Sequence, residues 1–383
     1  MEKEYLMIPG PTPIPHEISQ SMSSSIINHR GPKFKDLLEE VTSNLKKVFE
    51  TENEMFVLTA SGTGAMEAGV VNFISPGERV LALSNGAFGE RLEKIARTYG
   101  VEIESISSEW GEPFNYEEIE EKLANDKSHE IKAILVVHNE SSTGLMNDIE
   151  KISKLRKGHP ALLIVDTISS MGAVHLPVDE WQIDVCLTGS QKALYLPPGL
   201  SFISVNSRAM EAMDNCSMGA FYFSLKKAKE FLEKGQTPFT PAIPQVMALK
   251  DSLNMLLQAG KQYNFERHYR MMQATRNAVE AIGLELFVKD LKHASRTVTA
   301  VKKPPEIEVS KLRAMMRDKY GVEIAGGQAK LSQDIFRIGH LGAITEMDVI
   351  TAISALEMSL LELGYDLKLG TAVSKAQEII MQK

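Results

Sequence analysis

The sequence predicts an α/β protein with a mostly parallel central sheet in a large domain and a smaller α+β domain at the C-terminal end. Between residues 55 and 205, apolar runs of strand length alternate with helical stretches, a pattern typical of a parallel sheet covered on both faces. After about residue 280 the alternation ends, which indicates an α+β region. A length of 383 residues exceeds the size at which one core stops growing, so we expect two domains.

The elements of the large domain follow from hydrophobic periodicity. A rigid opening, Pro9-Gly-Pro-Thr-Pro13, precedes a short helical passage over 14–27, and apolar residues three and four apart predict an amphipathic helix over 34–49. Apolar runs bounded by turn residues predict strands at 55–58, 79–83, 101–106, 131–138, 161–166, 185–188 and 201–205. The intervening stretches predict helices at 65–73, 89–99, 116–124, 148–157 and 222–234.

The C-terminal part is reached through a long helical stretch over 245–283, which breaks near Gly260. Beyond it we predict strands at 282–287, 296–301 and 335–338, with helices at 308–320 and 346–363. The chain is therefore divided into an N-terminal arm over 1–20, a large cofactor-binding domain over 21–270 and a small domain over 271–383.

Composition excludes several classes of function. The 42 Lys and Arg against 50 Asp and Glu give a net charge of −8, which argues against a nucleic-acid partner or an anionic membrane surface. Cys186 and Cys216 lack the spacing of a disulfide framework or a zinc site, so we expect no metal and a reducing compartment. The apolar runs are far shorter than a membrane span, and the start lacks a signal-peptide pattern. A cytoplasmic protein with small-molecule partners is expected.

Polar residues follow several predicted strands at the point where each strand ends. In open α/β sheets, ligands bind beyond the carboxyl ends of the strands. Ser61-Gly-Thr-Gly64 starts a predicted helix, where free N–H groups attract an anion such as phosphate, although similar turns also start helices that bind nothing. Asp166 directly follows a buried strand, and it is either a turn cap or a functional carboxylate.

The loop after the next strand contains the main candidate for chemistry, Lys192. Small polar residues precede Lys192, and Pro197-Pro198-Gly199 stiffens the exit, so this lysine is either held in an ordered site or lies in an ordinary surface turn. Together with Asp166 it suits pyridoxal 5'-phosphate (PLP). The lysine amine forms a Schiff base with the aldehyde, and the carboxylate holds a proton on the pyridine nitrogen.

Ten short motifs resemble, in order, those of class V aminotransferases, especially the alanine:glyoxylate, serine:pyruvate and serine:glyoxylate enzymes. They cover nearly the whole chain, and ten ordered motifs are far more specific than one. The resemblance implies a PLP-dependent transferase of fold type I, the aspartate-aminotransferase-like fold. The motifs are Pro9 to Pro11, His29-Arg30, Ser61 to Ala68, Asn85 to Arg91, Glu140 to Gly144, Asp166 to Ser170, Gly189 to Lys192, Pro197 to Leu200, Thr237 to Pro241 and Arg337 to Gly342.

The resemblance also implies roles for individual residues. Lys192 would carry the internal aldimine, Asp166 would pair with the pyridine nitrogen, and Phe88 and Ile168 would lie on the two faces of the ring. Ser141 would contact the phenolic oxygen or the substrate carboxylate, Arg337 would hold the α-carboxylate, and Gly10 would lie on an arm that closes over the substrate. The residues expected around the phosphate are Ser61, Gly62, Thr63, Gln191 and Thr240.

Thr240 matches a residue that reaches the phosphate of the neighbouring subunit in this family. A homodimer with shared active sites is therefore implied. Thr237 stands where some members have a tyrosine that contacts the same phosphate, so this second contact is left open.

The activity implied is a ping-pong transamination between a small amino acid, alanine or serine, and glyoxylate or pyruvate. Alternatives within the class are 2-aminoethylphosphonate, ureidoglycine and aspartate aminotransferases. A cysteine desulfurase would need a cysteine on a mobile loop, and Cys216 is the candidate, although it lies earlier in the chain than such enzymes place it. A non-catalytic cofactor-binding regulator would be expected to carry a DNA-binding module, for which the two domains leave no room.

Overall fold

The structure is a computed structural model that describes residues 4–382. Residues 1–3 of the predicted arm and Lys383 of the predicted small domain lie outside the described residues. The strands are β1 (Tyr5–Met7), β2 (Glu54–Leu58), β3 (Arg79–Ser84), β4 (Glu102–Ser107), β5 (Ile131–Val137), β6 (Asn139–Glu140), β7 (Leu145–Met146), β8 (Leu162–Asp166), β9 (Val185–Gly189), β10 (Ser201–Val205), β11 (Val298–Lys302), β12 (Val322–Gly326) and β13 (Ile335–Gly339).

The helices connect these strands and cover the sheets. They are α1 (His16–Ser21), α2 (Pro32–Phe49), α3 (Gly62–Val71), α4 (Ala87–Thr98), α5 (Tyr116–Asn125), α6 (Ile149–Leu155), α7 (Ser207–Asn215), α8 (Leu225–Leu232), α9 (Ile243–Ala259), α10 (Lys261–Ala281), α11 (Val309–Tyr320), α12 (Glu346–Glu362) and α13 (Thr371–Met381). None of the helices in residues 4–382 is long and apolar enough to cross a membrane.

The main sheet has seven strands in the order β2-β10-β9-β8-β5-β3-β4. Strand β10 runs antiparallel to both of its neighbours, and the other strands run parallel to one another. The predicted mostly parallel sheet is therefore confirmed. Because parallel strands end at the same edge, the residues that follow β2, β3, β5, β8 and β9 meet along that edge.

Both faces of the main sheet are buried. In β8 the side chains alternate, so that Leu163 and Val165 join one apolar cluster and Leu162 and Ile164 join the opposite one. Helices α2 and α9 cover the first face, whereas α3 and α4 cover the second. This two-sided burial explains why the strands are continuous apolar runs in the sequence.

A second sheet, in the order β1-β12-β13-β11, forms a separate core with α10, α11, α12 and α13. Strand β1, from the N-terminal arm, pairs in parallel with β12. The arm therefore crosses from this second sheet to the edge of the main sheet. We did not predict β1 because a strand of three residues is too short for a recognisable alternation.

The predicted strand at 282–287 is wrong. The segment makes one β-bridge, between Leu286 and Val301, and lies outside every strand of residues 4–382. Leu284 and Leu286 are buried in the second core, so the apolar signal reflects burial rather than strand pairing. Helices α7 and α13 and the strands β6, β7 and β12 were not predicted.

Candidate active site

The carboxyl-end edge of the main sheet contains a cleft between the turns that follow β2, β3, β5, β8 and β9. The structure brings most of the predicted site residues into this one cleft. Its lining consists of Ser61, Gly62, Thr63, Met66, Phe88, Arg91, Val137, Asn139, Ser141, Asp166, Ile168, Ser169, Gln191 and Lys192. A larger cleft of about 600 Å³ lies between α2 and the α9–α10 junction, where Lys261 and Glu50 already form an ion pair at 2.6 Å.

Asp166 is the last residue of β8, and its side chain is buried, with 2% of the residue exposed. Its carboxylate accepts a hydrogen bond from the Ile168 backbone N–H at 2.8 Å. Burial raises the pKa of Asp166 to about 7, and the nearby Glu140 charge adds to the rise, whereas the Ile168 N–H and Lys192 oppose it. A cation brought to this carboxylate would restore its charged form.

Lys192 follows β9 in the loop that we predicted to be ordered. Its amine donates a hydrogen bond to the Pro9 carbonyl at 2.5 Å, and its own carbonyl accepts one from the Thr12 hydroxyl at 3.0 Å. Burial lowers the pKa of Lys192 to about 8, and the positive charge of Arg337 contributes to the lowering. The amine is therefore easier to deprotonate, and hence more nucleophilic near neutral pH, than an ordinary lysine.

The N-terminal arm lies directly against this lysine. Gly10 has a φ of 119°, and a Cβ there would lie 2.5 Å from Lys192 Nζ. Thr12 N–H donates to the Gln191 carbonyl at 3.1 Å, so the arm is held on the lysine loop by its backbone. Only glycine allows both this backbone angle and this close approach.

The turn from β2 into α3 offers an anion site. Ser61 is the N-cap residue of α3 without a side-chain capping bond, so the first N–H groups of the helix are available to a ligand. Across the cleft, Gln191 Oε1 is buried without a hydrogen-bond partner among residues 4–382. Gly62 packs against Ile168, where an added Cβ would lie 2.7 Å from Ile168 Cδ1.

Arg337, in β13 of the second sheet, reaches the same edge. Its Nε donates to the Gly326 carbonyl at 2.8 Å and its Nη1 donates to the Ser141 carbonyl at 2.8 Å. Burial lowers the pKa of Arg337 to about 10, against the opposing effect of the Glu140 charge, so it stays cationic at neutral pH. Its Nη2 makes no hydrogen bond within the described part of the chain, which leaves a donor for a carboxylate.

Gly10 and Arg337 do not line the cleft themselves but contact Lys192 and Ser141, which do. Thr240 is the predicted site residue that the single chain places elsewhere. It lines a different, small cleft with Thr59, Tyr222 and Phe239. Thr237 turns its hydroxyl inward and donates to the Phe239 carbonyl at 2.8 Å. Cys216 lies at the C-terminal end of α7, and its thiol donates to the Val71 carbonyl at 3.7 Å, away from the residues that line the lysine cleft.

Sequence reasoning missed three polar residues that line the cleft, Arg91, Asn139 and Ser169, and also Glu140, which lies behind it. Arg91 places its guanidinium 4.7 Å from the centre of the Phe88 ring. Asn139 Nδ2 donates to Ser169 Oγ at 2.7 Å and to Thr297 Oγ1 at 3.0 Å. Arg91, Ser169 and Glu140 lie within the recognised motifs and Asn139 directly precedes one, and these positions were the signal that could have identified them.

A buried carboxylate, a lysine with a lowered pKa and an open helix N-terminus, all at one sheet edge, together define a site for a phosphorylated pyridine aldehyde. Residues 5–343 match the family model described as Aminotransferase class-V, and the chain belongs to this family. It is a PLP-dependent aminotransferase of fold type I, with amino acids and keto acids as substrates.

Related proteins span the whole chain. It is 42% identical over 381 residues to a Synechococcus protein named soluble hydrogenase, small subunit, with 99% of each chain covered. It is 35% identical to the serine–glyoxylate aminotransferase of Methylorubrum extorquens, covering 99% of this chain and 96% of that one. The solved structure of alanine–glyoxylate aminotransferase from a Nostoc species matches with a TM-score of 0.90 at 30% identity, covering 94% of this chain and 96% of that one.

The residues of the cleft fit PLP on structural grounds. The buried Asp166 carboxylate accepts one N–H hydrogen bond within residues 4–382, so it can pair with a pyridine nitrogen. At the uncapped start of α3 the backbone N–H groups can donate to a phosphate group, and the side chain of Gln191, which lines the same cleft, carries an amide NH₂ that can also donate. The apolar side chains of Phe88 and Ile168 both line the cleft, as a planar ring between them requires.

Proposed function

We propose that the enzyme transfers the amino group of a small amino acid, serine or alanine, to glyoxylate, with pyruvate as the other candidate acceptor. The observation that carries this proposal is that Lys192 and Asp166 line one cleft and that Arg337 is hydrogen-bonded to the carbonyl of Ser141, which lines the same cleft. The serine–glyoxylate and alanine–glyoxylate names of the relatives supply the substrate class.

When bound, PLP supplies an electron sink for the electrons of the substrate Cα–H bond. Asp166 stays anionic and holds a proton at the pyridine nitrogen, and Phe88 and Ile168 hold the ring plane from its two faces. The phosphate is bound by N–H groups of Gly62 and Thr63 with the Ser61 and Gln191 side chains.

The substrate is bound by Arg337, deprotonated by the Lys192 amine and shielded by the N-terminal arm. Arg337 binds the α-carboxylate through its free Nη2, while the carbonyls of Ser141 and Gly326 fix the guanidinium plane. Within one half-reaction, the Lys192 amine would accept the proton from Cα as general base and deliver it to the C4′ carbon of the cofactor as general acid, and the second half-reaction would run this transfer in reverse. Gly10 lets the arm lie close enough to shield the amine from water.

A dicarboxylic donor such as aspartate is the second candidate. Arg91 lines the cleft and makes no ion pair with an acidic side chain within residues 4–382, so it is available to a second carboxylate. A serine or alanine donor leaves Arg91 stacked on Phe88, whereas an aspartate donor would draw it to the distal carboxylate.

Half-reactions test the donor directly. The PLP-loaded enzyme is mixed with alanine, serine, aspartate or 2-aminoethylphosphonate alone, and the visible absorbance of the bound cofactor is followed. We expect serine and alanine to bleach it, and glyoxylate to restore it. Bleaching by aspartate that an Arg91→Gln variant loses would favour the second candidate. If no donor bleaches the cofactor, the proposal is refuted.

We also propose a homodimer in which Thr240 of each chain reaches the other chain's phosphate. Its position outside the cleft of its own chain supports this arrangement. We also propose that the chain is divided into an arm, a large domain and a small domain at residues 20 and 270, and that the protein is cytoplasmic. Sedimentation should give twice the mass of one chain, and Thr240→Ala should weaken PLP binding; a monomer with full PLP affinity would contradict the shared site.

A further inference from the structure

Glu140, the last residue of the short strand β6, is a buried carboxylate that the proposed chemistry does not use. None of its surface is exposed, and it lies in the motif Glu140 to Gly144. A fully buried carboxylate is costly unless its oxygens accept hydrogen bonds. The bonds that it makes therefore indicate its purpose.

The Glu140 carboxylate caps the N-terminus of α4, the helix that follows β3. Glu140 Oε2 accepts from the backbone N–H groups of Phe88 and Gly89, each at 3.0 Å. Its Oε1 accepts from the Ser142 hydroxyl at 2.5 Å, and that hydroxyl in turn accepts from Ala87 N–H at 3.0 Å. The first three N–H groups of α4 are thus bound by the side chains of Glu140 and Ser142 rather than by a residue of α4 itself.

The start of α4 has no cap of its own. Gly86, the N-cap residue, offers no side-chain bond, and a Cβ at Gly86 would overlap the Glu140 side chain. The glycine therefore makes room for a carboxylate from another strand end. Since a negative charge at a helix N-terminus is stabilising, this cap also fits the helix dipole.

We propose that Glu140 is a positioning residue for Phe88. By binding the Phe88 N–H, its carboxylate sets where the Phe88 ring stands over the cofactor. The inference rests on the proposed stacking of Phe88 on the cofactor ring, and it adds a residue that touches neither cofactor nor substrate.

Binding of PLP alone, without any amino acid, tests the inference. Glutamine at position 140 keeps the size of the side chain but replaces one of the two carboxylate oxygens by an NH₂ group, which cannot accept a hydrogen bond from an N–H or O–H donor. We expect Glu140→Gln to raise the Kd for PLP about tenfold, or ~1.4 kcal/mol, and to reduce the induced circular dichroism of the cofactor band. Because no donor is present, the result does not depend on which substrate is correct.

The matched control is Glu357→Gln. Glu357 is also a buried carboxylate that caps a helix from another element, accepting from Gly370 N–H at 2.9 Å and Ala372 N–H at 2.5 Å at the start of α13. We expect this variant to lose stability but to keep the wild-type Kd for PLP within a factor of about two. Equal weakening by both variants would show general destabilisation and overturn the inference.

A double-mutant cycle with Phe88→Leu identifies the route of the effect. If Glu140 acts through Phe88, the double variant binds PLP no more weakly than Phe88→Leu alone, within a factor of about two. Additive losses, or a Glu140→Gln variant with the wild-type Kd, would overturn the inference. If Glu140→Gln fails to fold, the Ser142→Ala variant tests the inference instead. We expect it to raise the Kd for PLP about threefold, again non-additively with Phe88→Leu. An unchanged Kd in Ser142→Ala would overturn the inference.

Discussion

Replacing Asp166 by asparagine should stabilise the cofactor-free protein, although Asp166 is central to the proposed site. The carboxyl is buried and its pKa rises from 3.8 to about 7 in the fold. This difference of about three pH units, at ~1.4 kcal/mol each, gives about 4 kcal/mol of lost stability at pH 8. Asparagine has nearly the same shape and carries no charge, so it avoids this cost.

The pH dependence gives the sign of the effect. Because the folded carboxyl holds its proton more tightly than the unfolded one, its contribution to the free energy of unfolding is fully present below about pH 4 and is lost as the pH rises to about 7. Asparagine does not titrate. The advantage of Asp166→Asn should therefore be small near pH 4 and reach about 4 kcal/mol above pH 7.

Urea unfolding of the cofactor-free proteins between pH 5 and pH 8 measures this advantage. The control is Asp184→Asn, which removes a buried carboxylate that Arg156 already pairs at 2.5 Å. That variant should lose about 3–5 kcal/mol, because the guanidinium is left buried without its partner. An Asp166→Asn protein that is no more stable than wild type at pH 8, or a gain that is constant with pH, would refute the reasoning.

Three further predictions concern Lys192 and Arg337. Lys192→Ala should lower steady-state turnover at least 10²-fold while PLP still binds non-covalently, and full turnover in that variant would contradict its proton-transfer role. Arg337→Lys should raise KM for both substrates at least tenfold with a smaller change in kcat, because the single nitrogen of a lysine cannot reproduce the planar, spaced donors with which Nε and Nη1 bond the Gly326 and Ser141 carbonyls while Nη2 faces a carboxylate. The cofactor absorbance band should form faster as the pH rises through about 8, because the Lys192 amine loses its proton there. Stopped-flow absorbance after PLP is added to the cofactor-free protein measures this rate. A rate that is the same from pH 6 to pH 10 would contradict the lowered pKa of Lys192.

The parts of the site that could be predicted are those in which local sequence carries the information. Asp166 and Lys192 each follow a buried strand, and the predicted parallel sheet brings the ends of such strands together. The helix start at Ser61 was visible for the same reason, since a glycine-rich turn directly follows an apolar run.

The parts that could not be predicted depend on contacts between distant segments. Arg337 reaches Ser141 across 196 positions of the chain, and β1 pairs with β12 across more than 300. Glu140 was missed because its partners lie on a different strand-to-helix turn, which periodicity along one segment cannot reveal. The strand predicted at 282–287 shows the reverse error, since buried leucines look the same whether or not they pair in a sheet.

The two central ionisable groups of the cleft share one physical property. Burial shifts the pKa of Asp166 upward and that of Lys192 downward, so each group is destabilised in the form that it has in water. A ligand with a protonated ring nitrogen and an aldehyde restores the charge of the first and consumes the amine of the second. The fold therefore keeps at this sheet edge two groups that cost stability when the site is empty, and the affinity for PLP includes the recovery of that cost. On this reasoning Asp166→Asn reverses the order of stability: it is the more stable protein without PLP and the less stable one at saturating PLP.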